Sequence, residues 1–139
     1  MKTRSIVIAI ALCVIAFAVC FAASPNMGTW KLNEAKSKLP AGPRNNTVIY
    51  EAAGDDVKVT VDGVDAAGKP THNEWTGKFD GKDYPLVGDP QSDSRCYKMI
   101  DEHTTELTNK KDGKTTLTGR IVVSADGKKV EYAAVYDKQ

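Results

Sequence analysis

The chain has 139 residues, with 19 basic and 18 acidic side chains and a formal net charge of +1. Lysines and aspartates are interspersed along it, so no basic stripe exists to track a nucleic-acid backbone. A chain of this length makes one domain, large enough to bury roughly 65% of its unfolded surface.

The first residues read as a leader. Lys2 and Arg4 give a basic start, Ile6 to Phe21 is apolar and uncharged, and small residues follow at Ala22, Ala23 and Ser24. That order predicts a secretory signal peptide over residues 1–22, cleaved after Ala22, with the mature domain over 23–139 and a periplasmic or secreted location. The alternatives are an uncleaved anchor, for which the run is shorter than the ~20 residues of a spanning helix, and a lipoprotein processed at Cys20, where Val19 is bulkier than such processing prefers. Cleavage leaves no stable membrane span. It also removes two of the 19 basic residues, so 17 face 18 acidic ones and the net charge becomes −1. Cys13 and Cys20 leave with the leader, so Cys96 stands alone and an intrachain disulfide is excluded. Cys96 is then a small buried hydrophobe or an unpaired thiol able to link two chains.

Beyond the leader, apolar residues alternate in short runs separated by Gly, Asp, Asn and Pro, which predicts antiparallel β-structure. Eight strands are expected: Gly28–Asn33, Thr47–Ala52, Val57–Asp62, Thr71–Phe79, Ser94–Ile100, Thr104–Lys110, Thr115–Ser124 and Lys129–Tyr136. Asp-Gly turns separate the sixth from the seventh (Asp112-Gly113) and the seventh from the eighth (Asp126-Gly127), as hairpins require. Val57, Val59 and Val61 share one face, Leu117, Gly119, Ile121 and Val123 another, and Val130, Tyr132, Ala134 and Tyr136 a third. A flat meander leaves two open edges, so closure into an eight-stranded up-and-down barrel is favoured over a two-sheet sandwich. Two connections are long. Glu34 to Asn46 has room for a helical turn, and Asp80 to Asp93 reads as a loop able to act as a lid.

Gly28-Thr29-Trp30 at the start of the first strand resembles the Gly-Xaa-Trp signature of the lipocalins and the wider calycin superfamily. More narrowly, "GTWKLNEAKSKLP", "FDGKDYPLVGDP" and "TNKKDGKTTLTGRIVVSADGK" resemble a family of small secreted bacterial lipocalin-like proteins. The resemblance implies an all-β, eight-stranded barrel in which Trp30 plugs the closed end and a late arginine, here Arg120, stacks over the indole as a cation–π pair.

Catalytic chemistry finds little support. No nucleophile elbow, phosphate loop or dinucleotide fingerprint is present, and Cys96 lacks an evident histidine partner. The chain is therefore read as a non-enzyme without a cofactor. His72 shares strand parity with Glu74, a two-ligand pair better explained by a solvated face than by zinc, and His103 falls in an exposed turn. Asp80, Asp83, Asp89 and Asp93 could gather round calcium but lack the EF-hand spacing and read as a polar loop. The aromatics carry more. Trp30, Tyr50, Trp75, Phe79, Tyr97, Tyr132 and Tyr136 fall on inward positions, and either fill the interior or line an apolar pocket. The expectation is non-covalent binding of a small, apolar ligand inside the barrel, with Trp30, Tyr50, Trp75, Tyr97 and Tyr132 as contacts. The alternatives are a filled barrel serving as a protein-interaction or inhibitor module of the cell envelope, and a structural envelope protein.

Overall fold

The computed structural model describes residues 25–37, 41–131 and 135–139. The expected leader and Tyr132 lie outside the described residues. All regular structure among them is β: β1 (Gly28–Leu32), β2 (Arg44–Ala53), β3 (Asp56–Val64), β4 (Pro70–Gly77), β5 (Asp80–Val87), β6 (Ser94–Met99), β7 (Thr104–Lys111), β8 (Lys114–Val123), β9 (Lys129–Glu131) and β10 (Val135–Lys138).

Strands β1 to β8 pair in chain order, each antiparallel to the next, and the resulting up-and-down sheet curls into a barrel-like half-shell. The short β9 and β10 pair with each other, β9 with β8 and β10 with β1, through Val123↔Val130 and Trp30↔Lys138 among others. No helix among the described residues is long and apolar enough to cross a membrane.

Two-residue alternation explains the concave core. In β3 the valines at 59 and 61 are buried, while Lys58, Thr60 and Asp62 are not. In β7 the inward positions are Thr105, Leu107 and Asn109, and in β8 Ile121 and Val123. Leu117 keeps the inward parity but is 43% exposed. The β7–β8 connection is the expected Asp-Gly turn, with φ +49° at Asp112 and +77° at Gly113 between the paired Lys111 and Lys114. Positive φ at both central positions gives the turn the twist of the strands it joins.

Three sequence expectations need correction. Asp80–Val87 is strand β5 rather than part of a lid. It pairs with β6 along a ladder broken by an irregularity between Asp80 and Asp83, and with β4 only at Glu74↔Val87 and Trp75↔Leu86. Gly81 and Pro85 argue against a strand in sequence, yet an irregular, sparsely paired strand accommodates both. The expected strand Lys129–Tyr136 is two short strands, β9 and β10, running antiparallel in the register Val135↔Glu131. Tyr132 and Ala134 of the shared face expected for residues 130–136 lie outside the described residues. The Glu34–Asn46 connection holds one tight turn and no helix among its described residues, and β2 starts at Arg44. Ser37 N–H donates to Glu34 O at 3.2 Å, and Ser37 Oγ to Asn33 O at 2.6 Å.

Candidate functional site

The concave face carries two polar–aromatic clusters. The first surrounds Trp30 on β1, which is 1% exposed. Its indole N–H donates to the carbonyl of Asn26 at 2.7 Å, and the Asn26 amide donates to Thr105 Oγ1 at 3.2 Å. Asn26 and Thr105 are themselves buried, so the segment before β1 is tied beneath β7 by side chains with few other outlets.

The cation over the indole differs from the expected one. Lys138 Nζ lies 5.5 Å from the Trp30 ring centroid. Arg120 is exposed and its guanidinium pairs with Glu106 at 3.6 Å. Strand parity is the reason: Gly119, Ile121 and Val123 point to the concave side, so Arg120 must face out, in register with Glu106. Gly28 makes room for the lysine. Its φ is +119°, and a Cβ there would stand 2.8 Å from Lys138 Cε.

The second cluster lies on β4, β6 and β7. Trp75 and Tyr97 are 1% and 2% exposed, and their rings meet edge to face with centroids 4.7 Å apart. Phe79 joins both, 4.9 Å from Tyr97 and 6.0 Å from Trp75, and brings in Tyr50 at 6.3 Å. Tyr84 of β5 meets the other side of Trp75 at 5.7 Å. Of the residues expected to line a pocket, Tyr50, Trp75 and Tyr97 are thus gathered ring to ring through Phe79, whereas Trp30 shares the same buried core without a ring contact to them.

Arg95 is the residue the sequence reading missed. It sits two positions before Tyr97 on the same face of β6, and only 6% of it is exposed. Its Nε donates to Asn109 Oδ1 at 2.8 Å, from the position directly opposite on β7. One terminal nitrogen reaches Asn73 Oδ1 and the Tyr97 hydroxyl, each at 3.4 Å, and the guanidinium carbon lies 5.8 Å from the Tyr97 ring centroid. The carbonyl of Arg95 accepts the Trp75 indole N–H at 2.9 Å, tying the aromatic and polar parts together. Among the described residues, Arg95 is the one buried charged side chain, and no carboxylate pairs with it. A buried guanidinium without a counter-charge loses several kcal/mol of hydration that neutral partners restore only in part. Parity marks the residue in sequence: the alternation that puts Tyr97 inward puts Arg95 beside it.

Of the remaining candidates, His72 and Glu74 meet, with Nε2 and Oε1 3.6 Å apart, and the others are dispersed. His72 and Glu74 lie on the outer face, where His72 Nδ1 meets Asp62 Oδ1 at 2.6 Å and Glu74 pairs with Lys58 at 3.0 Å. The Asp62 hydrogen bond holds the His72 imidazole above its ordinary pKa, and the Lys58 hydrogen bond holds the Glu74 carboxyl below its own. Asp80 accepts from the Tyr84 hydroxyl, Asp83 pairs with Lys110 at 2.8 Å, and Asp89 and Asp93 accept from the backbone N–H groups of Gln91 and Asp112. Among the described residues no three His, Cys, Asp or Glu side chains are grouped to hold a metal ion. His103 is half-buried rather than an exposed turn residue, and its Nδ1 is buried without a hydrogen-bond partner among the described residues. Cys96 is half-buried; burial first, and the Asp83 carboxylate second, push its thiol pKa up.

No family model matches the chain, and no curated protein or solved structure matches it either.

Proposed function

We propose that this is an exported, lipocalin-like binding protein whose sheet closes through β9 and β10 into a barrel and holds a small, largely apolar ligand non-covalently on its concave side. The observation that carries the reading is the meeting of the Trp75, Phe79 and Tyr97 rings, with the buried Arg95 guanidinium 5.8 Å from the Tyr97 ring. Aromatic walls with a few converging polar groups are the usual make-up of a small-molecule site. In this reading the buried Trp30, hydrogen-bonded to Asn26, seals one end of the barrel. Apolar burial drives binding in this reading, and the polar groups orient the guest.

Native mass spectrometry of the protein purified from the cells that export it tests the proposal, together with titration by an uncharged apolar fluorophore such as N-phenylnaphthylamine. A co-purifying small mass or saturable fluorophore binding supports it, and the absence of both ends it. A second reading, a protein-interaction module, draws on Val87, which is 66% exposed on β5, and on Ile100, 47% exposed in the β6–β7 turn. A partner chain in the same spectra favours that reading.

A further inference from the structure

The side chains around Arg95 offer hydrogen-bond donors and little else. A guanidinium has only donors, so the atoms of Asn73 and Asn109 that face it must be their oxygens, and each amide keeps its NH2 group for something other than Arg95. The same logic makes the Tyr97 hydroxyl the acceptor from Arg95 and leaves its hydrogen to donate elsewhere. Arg95 Nη2 makes no hydrogen bond with a described residue, and neither do the two amide nitrogens. Three donor groups, from β4, β6 and β7, therefore stand around one guanidinium whose own Nη2 is a fourth.

No described Asp or Glu is buried, and none among the described residues pairs with Arg95. Such a constellation fits a group that accepts only and is negative. A planar guanidinium fork matches the two oxygens of a carboxylate or phosphate. An alcohol, ketone or amine leaves the charge uncompensated. The Tyr97 ring lies under this cation, with the guanidinium carbon 5.8 Å from its centroid, and Trp75 and Phe79 pack in turn against Tyr97.

We infer that Arg95, with Asn73, Asn109 and Tyr97, forms a subsite for an oxyanion head group, carboxylate or phosphate, of an amphiphilic ligand whose apolar part lies along Trp75 and Phe79. The inference rests on the reading of the concave side as a binding site and adds the chemical class of its ligand.

Three probes of one chain length separate the two claims: laurate, dodecyl phosphate and dodecanol, each titrated below its micelle concentration into the mature protein at pH 7.4 by calorimetry. At least one anion is expected to bind ten-fold or more tighter than dodecanol, and which one does so tells carboxylate from phosphate. In Arg95→Met the anion-to-alcohol ratio is expected to fall close to one, and in Arg95→Lys to an intermediate value, since lysine keeps the charge and loses the fork. Should Arg95→Met fail to fold, the wild-type ratio and the lysine variant decide the matter. Equal binding of all three probes overturns the head-group inference and leaves the apolar site standing. Failure of all three to bind overturns both.

Discussion

Arg95 and Asn109 face each other across β6 and β7 with Nε and Oδ1 2.8 Å apart, an arginine and an amide in register on the inward side of the ladder. The next inward pair along the same ladder is Tyr97 and Leu107, both buried. Asn109→Leu fits the site by size but removes the acceptor. Unfolding by urea is expected to show a loss of about 1–3 kcal/mol, the cost of a buried donor left without a partner. Asn109→Asp instead gives the guanidinium an internal counter-charge, so it should reduce the affinity for an anionic probe more than that for dodecanol.

Trp30 is expected to matter through both its volume and its N–H. Trp30→Ala should cost about 3–5 kcal/mol as a large core truncation. Trp30→Phe keeps most of the ring but strands the buried Asn26 carbonyl, at about 1–3 kcal/mol. Lys138→Ala should cost about 0.5–1 kcal/mol, the scale of an exposed cation–π contact. Arg120→Ala should be close to neutral, because an exposed ion pair contributes about 0–1 kcal/mol. A larger loss for Arg120→Ala than for Lys138→Ala in urea unfolding would reverse the assignment of the cation on the indole.

The contrast between those two cations shows how far the sequence could be read. Parity along β3, β7 and β8, together with the Asp-Gly turn at 112 and 113, is local information, and the strand pattern follows from it. Arg120 and Lys138 cannot be told apart by composition. Lys138 reaches Trp30 because β10 lies beside β1, and that depends on the antiparallel pairing of β9 with β10, which no turn residue in the sequence announces. Strand β5 was hidden by Gly81 and Pro85 and held by its neighbours. Arg95 was legible in principle, since it shares the face of Tyr97, but an arginine in an apolar stripe is visible only to a reading that takes parity over residue type.

His72 supplies a pH dependence whose sign is fixed. Its hydrogen bond to the Asp62 carboxylate raises its pKa above the ordinary 6.5. The stabilising contribution is therefore fully present below the unfolded-state pKa and is lost as pH rises through the higher folded-state value. An NMR titration of the imidazole should give a midpoint above 6.5, and Asp62→Asn should lower it. The site is exposed, so the effect on global stability is small and screened by salt. A midpoint at or below 6.5 in the wild-type protein would contradict the Asp62 contact.

Cys96 should react slowly. With its thiol pKa pushed up chiefly by burial, little thiolate exists near neutrality. Ellman's reagent at pH 7.5 is expected to label the native protein much more slowly than the urea-unfolded chain. Equal rates, or a disulfide-linked dimer as the main purified species, would count against a sequestered thiol.

The account turns on ligand contact at Trp75 and Arg95 rather than at Trp30. The chain holds two tryptophans, so a nitrogen–proton correlation spectrum shows two indole signals, assigned by comparison with Trp30→Phe. Titration with the tighter-binding of laurate and dodecyl phosphate should move the Trp75 indole signal and the Arg95 Nε–H signal together, saturably, with the Trp30 signal nearly fixed. A shift confined to Trp30, or no shift of Trp75 and Arg95 with either laurate or dodecyl phosphate, would contradict it.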